Sequence, residues 1–224
     1  MLKPAWKFSL ALWLSLAGLA QVANEANKEY RNKEGRERVA QSLDSGARLE
    51  RLRPADMIPL LGIKPGAVVA DIGAGTGMML PFLVEAVGPS GRVLAEDIQQ
   101  DFLNKAEARI KTNNWSNVTT ILGTDRNPNL PEAQLDLAFI LDAYHHFDYP
   151  AEMLAHIARS LKPDGRIAVA DFYRTRRGPQ DKDMRSHVRA DRDEVIREIE
   201  ANGFQLEAKH DHASNQYVLL FRKK

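Results

Sequence analysis

The stretch Val68-Val69-Ala70-Asp71-Ile72-Gly73-Ala74-Gly75-Thr76-Gly77 constrains this chain more than any other part of it. An apolar run broken by one carboxylate suits a parallel strand buried on both faces. The alternating glycines that follow let the backbone turn sharply and leave it bare, so that a ligand can approach the main chain itself. A helix over residues 78–87 comes next, then a Gly88-Pro89-Ser90-Gly91 turn into a second strand at residues 92–97. The unit is strand, glycine loop, helix, strand, with a carboxylate, Asp71 or Asp97, ending each strand.

Two cofactor classes use such a unit. A dinucleotide fold favours G-x-G-x-x-G, with the helix N-terminus aimed at a pyrophosphate. Here the loop reads G-x-G-x-G and continues with Met78. S-adenosylmethionine (SAM) has no phosphate; its sulfonium, ammonium, carboxylate and ribose are better served by acidic residues and open backbone. Asp71 and Asp97 meet that need, and Asp97 can accept charge-assisted hydrogen bonds from both ribose hydroxyls. A nicotinamide-dependent enzyme can use the same carboxylate, so Asp97 by itself leaves both cofactors open.

Several segments, taken in order, resemble the class I SAM-dependent methyltransferases over residues 52–224. Residues 68–77 are similar to the family's first motif and Val93-Leu94-Ala95-Glu96-Asp97-Ile98 to its acidic strand end. Residues 135–147, ending Asp142-Ala143-Tyr144-His145-His146-Phe147, resemble the fourth strand and its loop, and Leu161-Lys162-Pro163-Asp164-Gly165-Arg166 the turn into the fifth. The resemblance implies SAM as cofactor, held around Asp71, Gly73, Gly75, Gly77, Asp97, Ile98, Thr124 and Asp125. Asp125 resembles the acidic residue near the adenine amino group, which in the family more often follows the glycine directly, where this chain has Thr124.

The remaining chain alternates strand and helix. Helices are expected at residues 101–112, 151–161 and 191–201, and strands at 118–122, 135–141, 166–170, 204–209 and 217–222. That alternation implies an α/β fold with a doubly wound, mostly parallel sheet. The last two strands are joined too closely for a crossover helix and are expected as an antiparallel hairpin at one edge. The family's seven-stranded sheet ends in that way. Ligands then bind beyond the carboxyl ends of the strands, at Asp71, Asp97, Thr124, Asp125, Asp142 and Asp171.

Composition agrees with one such domain: 44% of the 224 residues are hydrophobic, enough to cover a sheet on both faces. A net charge of +1 leaves no electrostatic footprint for nucleic acid. The absence of cysteine excludes disulfides, thiolate metal sites and a cysteine nucleophile. At the start of the chain, residues 1–7 carry two lysines, residues 8–17 are almost wholly apolar, and Gly18-Leu19-Ala20 are small. This reads as an export signal over residues 1–20, giving a periplasmic or secreted protein; a membrane anchor is the alternative, although the run is well short of the roughly 20 residues a span requires. Residues 21–53 read as a polar linker with a surface helix, in which residues 48–56 are placed to contribute substrate contacts. Residues 54–224 form the domain.

For chemistry, the loop after the fourth expected strand is the leading candidate. Methyl transfer is an in-line displacement, so alignment of the acceptor is the main task. A hydroxyl or protonated amine must also lose a proton, which a histidine accepts near neutrality. His145 is expected as the base and Tyr144 as a positioning group, with Asp142 beside them; His146 is a weaker candidate. No metal is expected: the Asp142 carboxylate is faintly similar to cation-dependent catechol-type enzymes, but Asp171 is followed by Phe172 where that group has an asparagine. His210 and His212 sit near a hairpin turn, where solvent-exposed histidines are the commoner case. The segment that methylates nucleic-acid bases is missing, so the expected partner is a small-molecule methyl acceptor. A loop over residues 172–187 is expected to cover the pocket, with Arg174, Arg176 and Arg177 facing an anionic acceptor or solvent. The competing readings are an exported non-catalytic SAM-binding module and a nucleotide-dependent oxidoreductase.

Overall fold

The computed structural model describes residues 22–176 and 183–224. Its strands are Val68–Ile72 (β1), Arg92–Asp97 (β2), Val118–Leu122 (β3), Leu135–Leu141 (β4), Leu161–Phe172 (β5), Phe204–His212 (β6) and Gln216–Lys223 (β7). They form one sheet in the order β3-β2-β1-β4-β5-β7-β6. Because β1 pairs in parallel with both β2 and β4, strand order reverses there and a crevice opens beyond the strand ends. The edge expected to be antiparallel is so, with β7 between β5 and β6.

The helices are Lys33–Leu43 (α1), Gly46–Leu52 (α2), Pro54–Leu61 (α3), Leu80–Val87 (α4), Gln100–Asn113 (α5), Pro150–Ser160 (α6) and Arg192–Ala201 (α7). Alternating side chains of the strands feed two separate cores. Val69, Val93, Phe139 and Ala168 pack with Met57 and Leu61 of α3 and Leu80 and Leu83 of α4, whereas Ala70, Ile72, Ile140 and Val169 pack with Leu154 and Ile157 of α6 and Ile199 of α7. Both faces are thus covered, which accounts for strands that are apolar along nearly their whole length.

Three expectations are adjusted. The helix expected from residue 78 starts at Leu80, because the turn that leaves Gly77 (φ +78°) continues to Met79 and Pro81 then occupies the first helical turn. β5 begins at Leu161, and the expected turn at residues 162–165 is a bulge inside it: Leu135 faces Leu161 while Leu137 faces Arg166. The hairpin is longer than expected at both strands. A larger departure concerns residues 21–53. Asn32 caps α1 by accepting from the Gly35 N–H (2.8 Å), and Ser45 caps α2 by accepting from the Arg48 N–H (3.3 Å). These helices do not lie free on the surface; they cross the strand ends. The expected export signal, residues 1–20, falls outside the described residues. Among the described residues no helix is long and apolar enough to cross a membrane.

Candidate active site

Where β1, β2 and β4 end, a cavity of about 320 Å³ opens, and the expected cofactor positions Asp71, Gly73, Gly75, Asp97, Ile98, Thr124 and Asp125 line it. Gly77 does not; its φ of +78° serves the turn into α4. The glycine loop is held from β2. Asp97 accepts from the Gly75 N–H (2.8 Å) and, through its other oxygen, from the Gln99 N–H (2.8 Å). Gly73 (φ +73°) lies so close to the β4 loop that a Cβ there would stand 2.6 Å from the Cβ of Ala143. No side chain fits at that point, so the bare backbone is a steric requirement.

The floor carries more negative charge than it can neutralise. Asp71, Glu96 and Asp97 are all buried, and oxygens of Asp71 (Oδ2) and Glu96 (Oε1) lack a hydrogen-bond partner. Burial, with the Asp97 charge nearby, pushes Asp71 up to about 7 and pushes Glu96 well above the carboxylate range. Burial likewise lifts Asp97 to about 6, against hydrogen bonds that pull it down. Glu96 was passed over in the sequence because it precedes the strand-ending aspartate. Its second oxygen accepts from the Gly73 N–H (3.3 Å), so it shapes the same loop.

These raised values set a pH dependence. The folded chain holds the protons of Asp71 and Asp97 more tightly than the unfolded chain, whose aspartates titrate near 3.9. The contribution of these two groups to ligand-free stability therefore falls as pH rises from about 4 through 7, and levels off once both are charged. For Asp71 the change is on the order of 4 kcal/mol. Thermal melts between pH 5 and 8 are expected to show this slope, and Asp71→Asn to flatten it; an unchanged slope in that variant would refute the assignment.

The roof is built by the segment read from sequence as a linker. Asn24, Asn27, Tyr30, Leu43 and Arg48 line the cavity. Asp44, which caps the end of α1, accepts from the Thr76 hydroxyl (2.6 Å) in the glycine loop and pairs with Arg109 (2.9 Å). Arg48 pairs with Asp142 (2.7 Å) at the end of β4. Asn27 donates to the His146 carbonyl (3.0 Å) and to Asp148 (3.1 Å). Arg48, on the cavity wall, thus has a definite partner.

The expected catalytic residues separate. Asp142 lines the cavity in a left-handed backbone conformation (φ +49°), but Arg48 and Gln216 (2.6 Å) engage its two oxygens. It is an anchor for the roof. Tyr144 is turned into the core beside Phe147, and its hydroxyl donates to Glu198 (2.6 Å), which also holds Arg189. It does not reach the cavity, so a positioning role for its hydroxyl is corrected to a structural one. Tyr144→Phe is expected to lower stability by about 1 kcal/mol while leaving SAM affinity unchanged, as read by denaturant titration and calorimetry. His145 is also behind the wall, 3% exposed, with Nδ1 on Asp171 (2.7 Å) and Nε2 on His187 (3.2 Å). The ring that lines the cavity is its neighbour, His146, whose Nδ1 meets Asn27 Oδ1 (2.9 Å). Burial, followed by the charges of His145, His187 and Arg48, holds His146 well below the usual histidine value.

Elsewhere, Arg174 donates to the Val188 carbonyl (2.9 Å) and Arg176 stacks on Tyr173 (3.7 Å), so neither lines the cavity; Arg177 lies outside the described residues. His212 is buried and its Nε2 bonds the Leu52 carbonyl (2.7 Å). His145, His146 and His187 each bring one nitrogen within 4.8 Å of the others.

A doubly wound sheet with buried carboxylates around a bare glycine loop defines a nucleoside-cofactor enzyme scaffold. Residues 70–167 match the family model described as a methyltransferase domain. Over 128 residues, 57% of this chain, it is 29% identical to a ubiquinone/menaquinone biosynthesis C-methyltransferase, UbiE, of Bordetella parapertussis, covering 49% of that protein. It is 34% identical over 115 residues, 51% of this chain, to an uncharacterized 37.1 kDa transposon protein of Streptomyces fradiae, covering 33% of it. The chain thus spans half or less of the length of these curated relatives. Among solved structures, a SAM-dependent methyltransferase from Aquifex aeolicus superposes with a TM-score of 0.78 at 24% identity, over 84% of this chain and 98% of that one. The [4+2]-cyclase SpnF superposes with a TM-score of 0.65 at 15% identity, over 76% of this chain and 80% of that one. Residues 70–167 are thus similar to methyltransferase domains, and the fold is the one seen in the SAM-dependent methyltransferase from Aquifex aeolicus. The residues fit SAM as a cofactor: Asp71 and Glu96 present unpartnered acceptors for donors such as an ammonium or ribose hydroxyls, and Ile98 presents an exposed apolar face.

Proposed function

We propose that the protein transfers a methyl group from SAM to a small-molecule acceptor bound beneath the N-terminal helices. The observation that carries this reading is one cavity running from the carboxylates of β1 and β2 to His146, roofed by Asn27, Tyr30 and Arg48. Bound SAM supplies an electrophilic methyl on a sulfonium. The chain's own residues do the rest. Asp97 and Glu96 hold the glycine loop open, and the Arg48–Asp142 pair closes the roof over the acceptor end and keeps bulk water from it.

The proton-accepting role moves from His145 to His146, the ring on the cavity wall. Held uncharged, His146 keeps a lone pair with which to orient an acceptor hydroxyl and draw on its proton. His145, backed by Asp171, fixes that wall from behind. Phe147 and Met153 on the same wall favour an acceptor with an apolar body, and oxygen, nitrogen or carbon as the receiving atom is left to experiment.

The test is a screen of phenols, quinols and amines with isotopically labelled methyl-SAM, scored by labelled product and by S-adenosylhomocysteine (SAH) release. Labelled product lost in His146→Ala but retained in His156→Ala supports the reading. Tight SAM binding with no product across the screen, and with SAH release no greater than in buffer, favours a non-catalytic binding module instead.

A further inference from the structure

The three histidines His145, His146 and His187 come from two different loops, the one after β4 and the segment after β5, and converge at the wall of the cavity. One candidate ligand atom from each lies within 4.8 Å of the others. Two features of the cluster go beyond proximity. The first is tautomer. Asp171 engages Nδ1 of His145, and Asn27 Oδ1 engages Nδ1 of His146. An oxygen acceptor at Nδ1 fixes the N–H there and leaves the lone pair on Nε2, so these two rings present lone pairs rather than protons. A carboxylate behind a histidine is also the usual support of a metal-bound imidazole, orienting the ring and raising its basicity.

The second feature is spacing. Nε2 of His145 and Nε2 of His187 stand 3.2 Å apart. Two nitrogens on one tetrahedral zinc, at the usual Zn–N length of about 2.0–2.1 Å, are separated by roughly 3.3 Å. The pair is therefore already spaced as ligands, and from a separation within 4.8 Å the third ring has to close by at most about 1.5 Å. Charge is provided as well: Asp171 is 1% exposed, and among the described residues its ion-pair partner is the His145 ring, not a lysine or arginine.

We propose that His145, His146 and His187 form a three-histidine site for a divalent first-row transition cation of the zinc type, with Asp171 as the residue that positions His145. Three imidazoles select such an ion over magnesium or calcium, which take oxygen ligands. Three protein ligands also leave a coordination position open. Because His146 belongs to both the cluster and the cavity, that ion sits at the cavity wall and takes up the Nε2 lone pair, so ion binding and the proton-accepting role proposed above for His146 exclude each other; ion binding itself does not rest on that function.

The experiment uses the untagged full chain, stripped with a chelator and dialysed, then titrated with Zn²⁺ by calorimetry and with Co²⁺ by visible absorption. The expected result is one tight equivalent of Zn²⁺ and the intense visible bands of four-coordinate Co²⁺. His187→Gln is expected to weaken Zn²⁺ binding at least about a hundredfold and Asp171→Asn by about 10–100-fold. His156→Gln is expected to leave it unchanged. SAH binding and the thermal transition, measured on every variant, report the cofactor site and the fold separately. A native Zn²⁺ affinity no tighter than that of His187→Gln, or a Co²⁺ spectrum of the pale six-coordinate kind, overturns the proposal whether or not SAM binds.

Discussion

Replacing Asp97 by alanine is expected to weaken SAM and SAH binding by about a hundredfold or more while the sheet remains folded. Asp97 makes two 2.8 Å bonds to main-chain N–H groups, one at Gly75 in the glycine loop and one at Gln99 in the turn after β2. Charge-assisted bonds of this kind contribute roughly 1.5–3 kcal/mol each, and about 1.4 kcal/mol corresponds to tenfold in affinity. Loss of the carboxylate therefore releases the loop at the point where the cofactor meets bare backbone, and it removes an acceptor from the cavity floor. Asp97→Asn, which keeps one acceptor oxygen, is expected to fall between. Calorimetric titration decides the matter, with a thermal melt to show that the variant is folded. A loss of less than tenfold in the alanine variant would mean that the loop is organised from elsewhere.

The second large effect is expected at Arg48. Its partner Asp142 has only 4% of its side chain exposed, and burial already pushes that carboxyl up while Arg48 pulls it down. Removing the guanidinium leaves Gln216 as the remaining partner of a buried carboxylate, a loss of about 3 kcal/mol for broken pairs of this kind. Arg48→Ala is expected to show that loss in denaturant titration, together with faster amide exchange in α1 and α2 and weaker binding of acceptor. Arg48→Lys restores the charge but not the fork geometry and is expected to recover part of it. If α1 and α2 exchange no faster in Arg48→Ala, the roof is held by Asp44 and Asn27 alone.

The sheet was legible because its strands are buried on both faces and its glycines fall where a strand must turn. Residues 118–122 and 135–141 were read with the boundaries they have in the structure. The cavity floor was legible for the same reason, since strand-ending carboxylates mark the crevice. The roof was not. α1 is rich in Lys, Arg and Glu and shows little apolar surface from which its packing could be read; the hold of the α1–α2 segment depends on single pairs such as Arg48 of α2 with Asp142, separated by 94 residues. Nor did adjacency distinguish His145 from His146. They follow one another in a tight turn that sends one ring behind the wall and the other into the cavity, and only the partners Asp171 and Asn27 reveal which is which.

The bond between the Leu52 carbonyl and His212 joins positions 160 residues apart. On a ribosome, α1 and α2 emerge before any strand of the sheet, yet the strand that carries His212 is among the last to appear. The roof meets Thr76, Arg109, Asp142 and Asp148 well before that, but the C-terminal end of α2 waits for its His212 partner for almost the entire length of the polypeptide. Contacts of such separation form late because their loop must close first. A nascent chain of this design gains the last pins of its ceiling, His212 on the Leu52 carbonyl and Gln216 on Asp142, only at the end of synthesis.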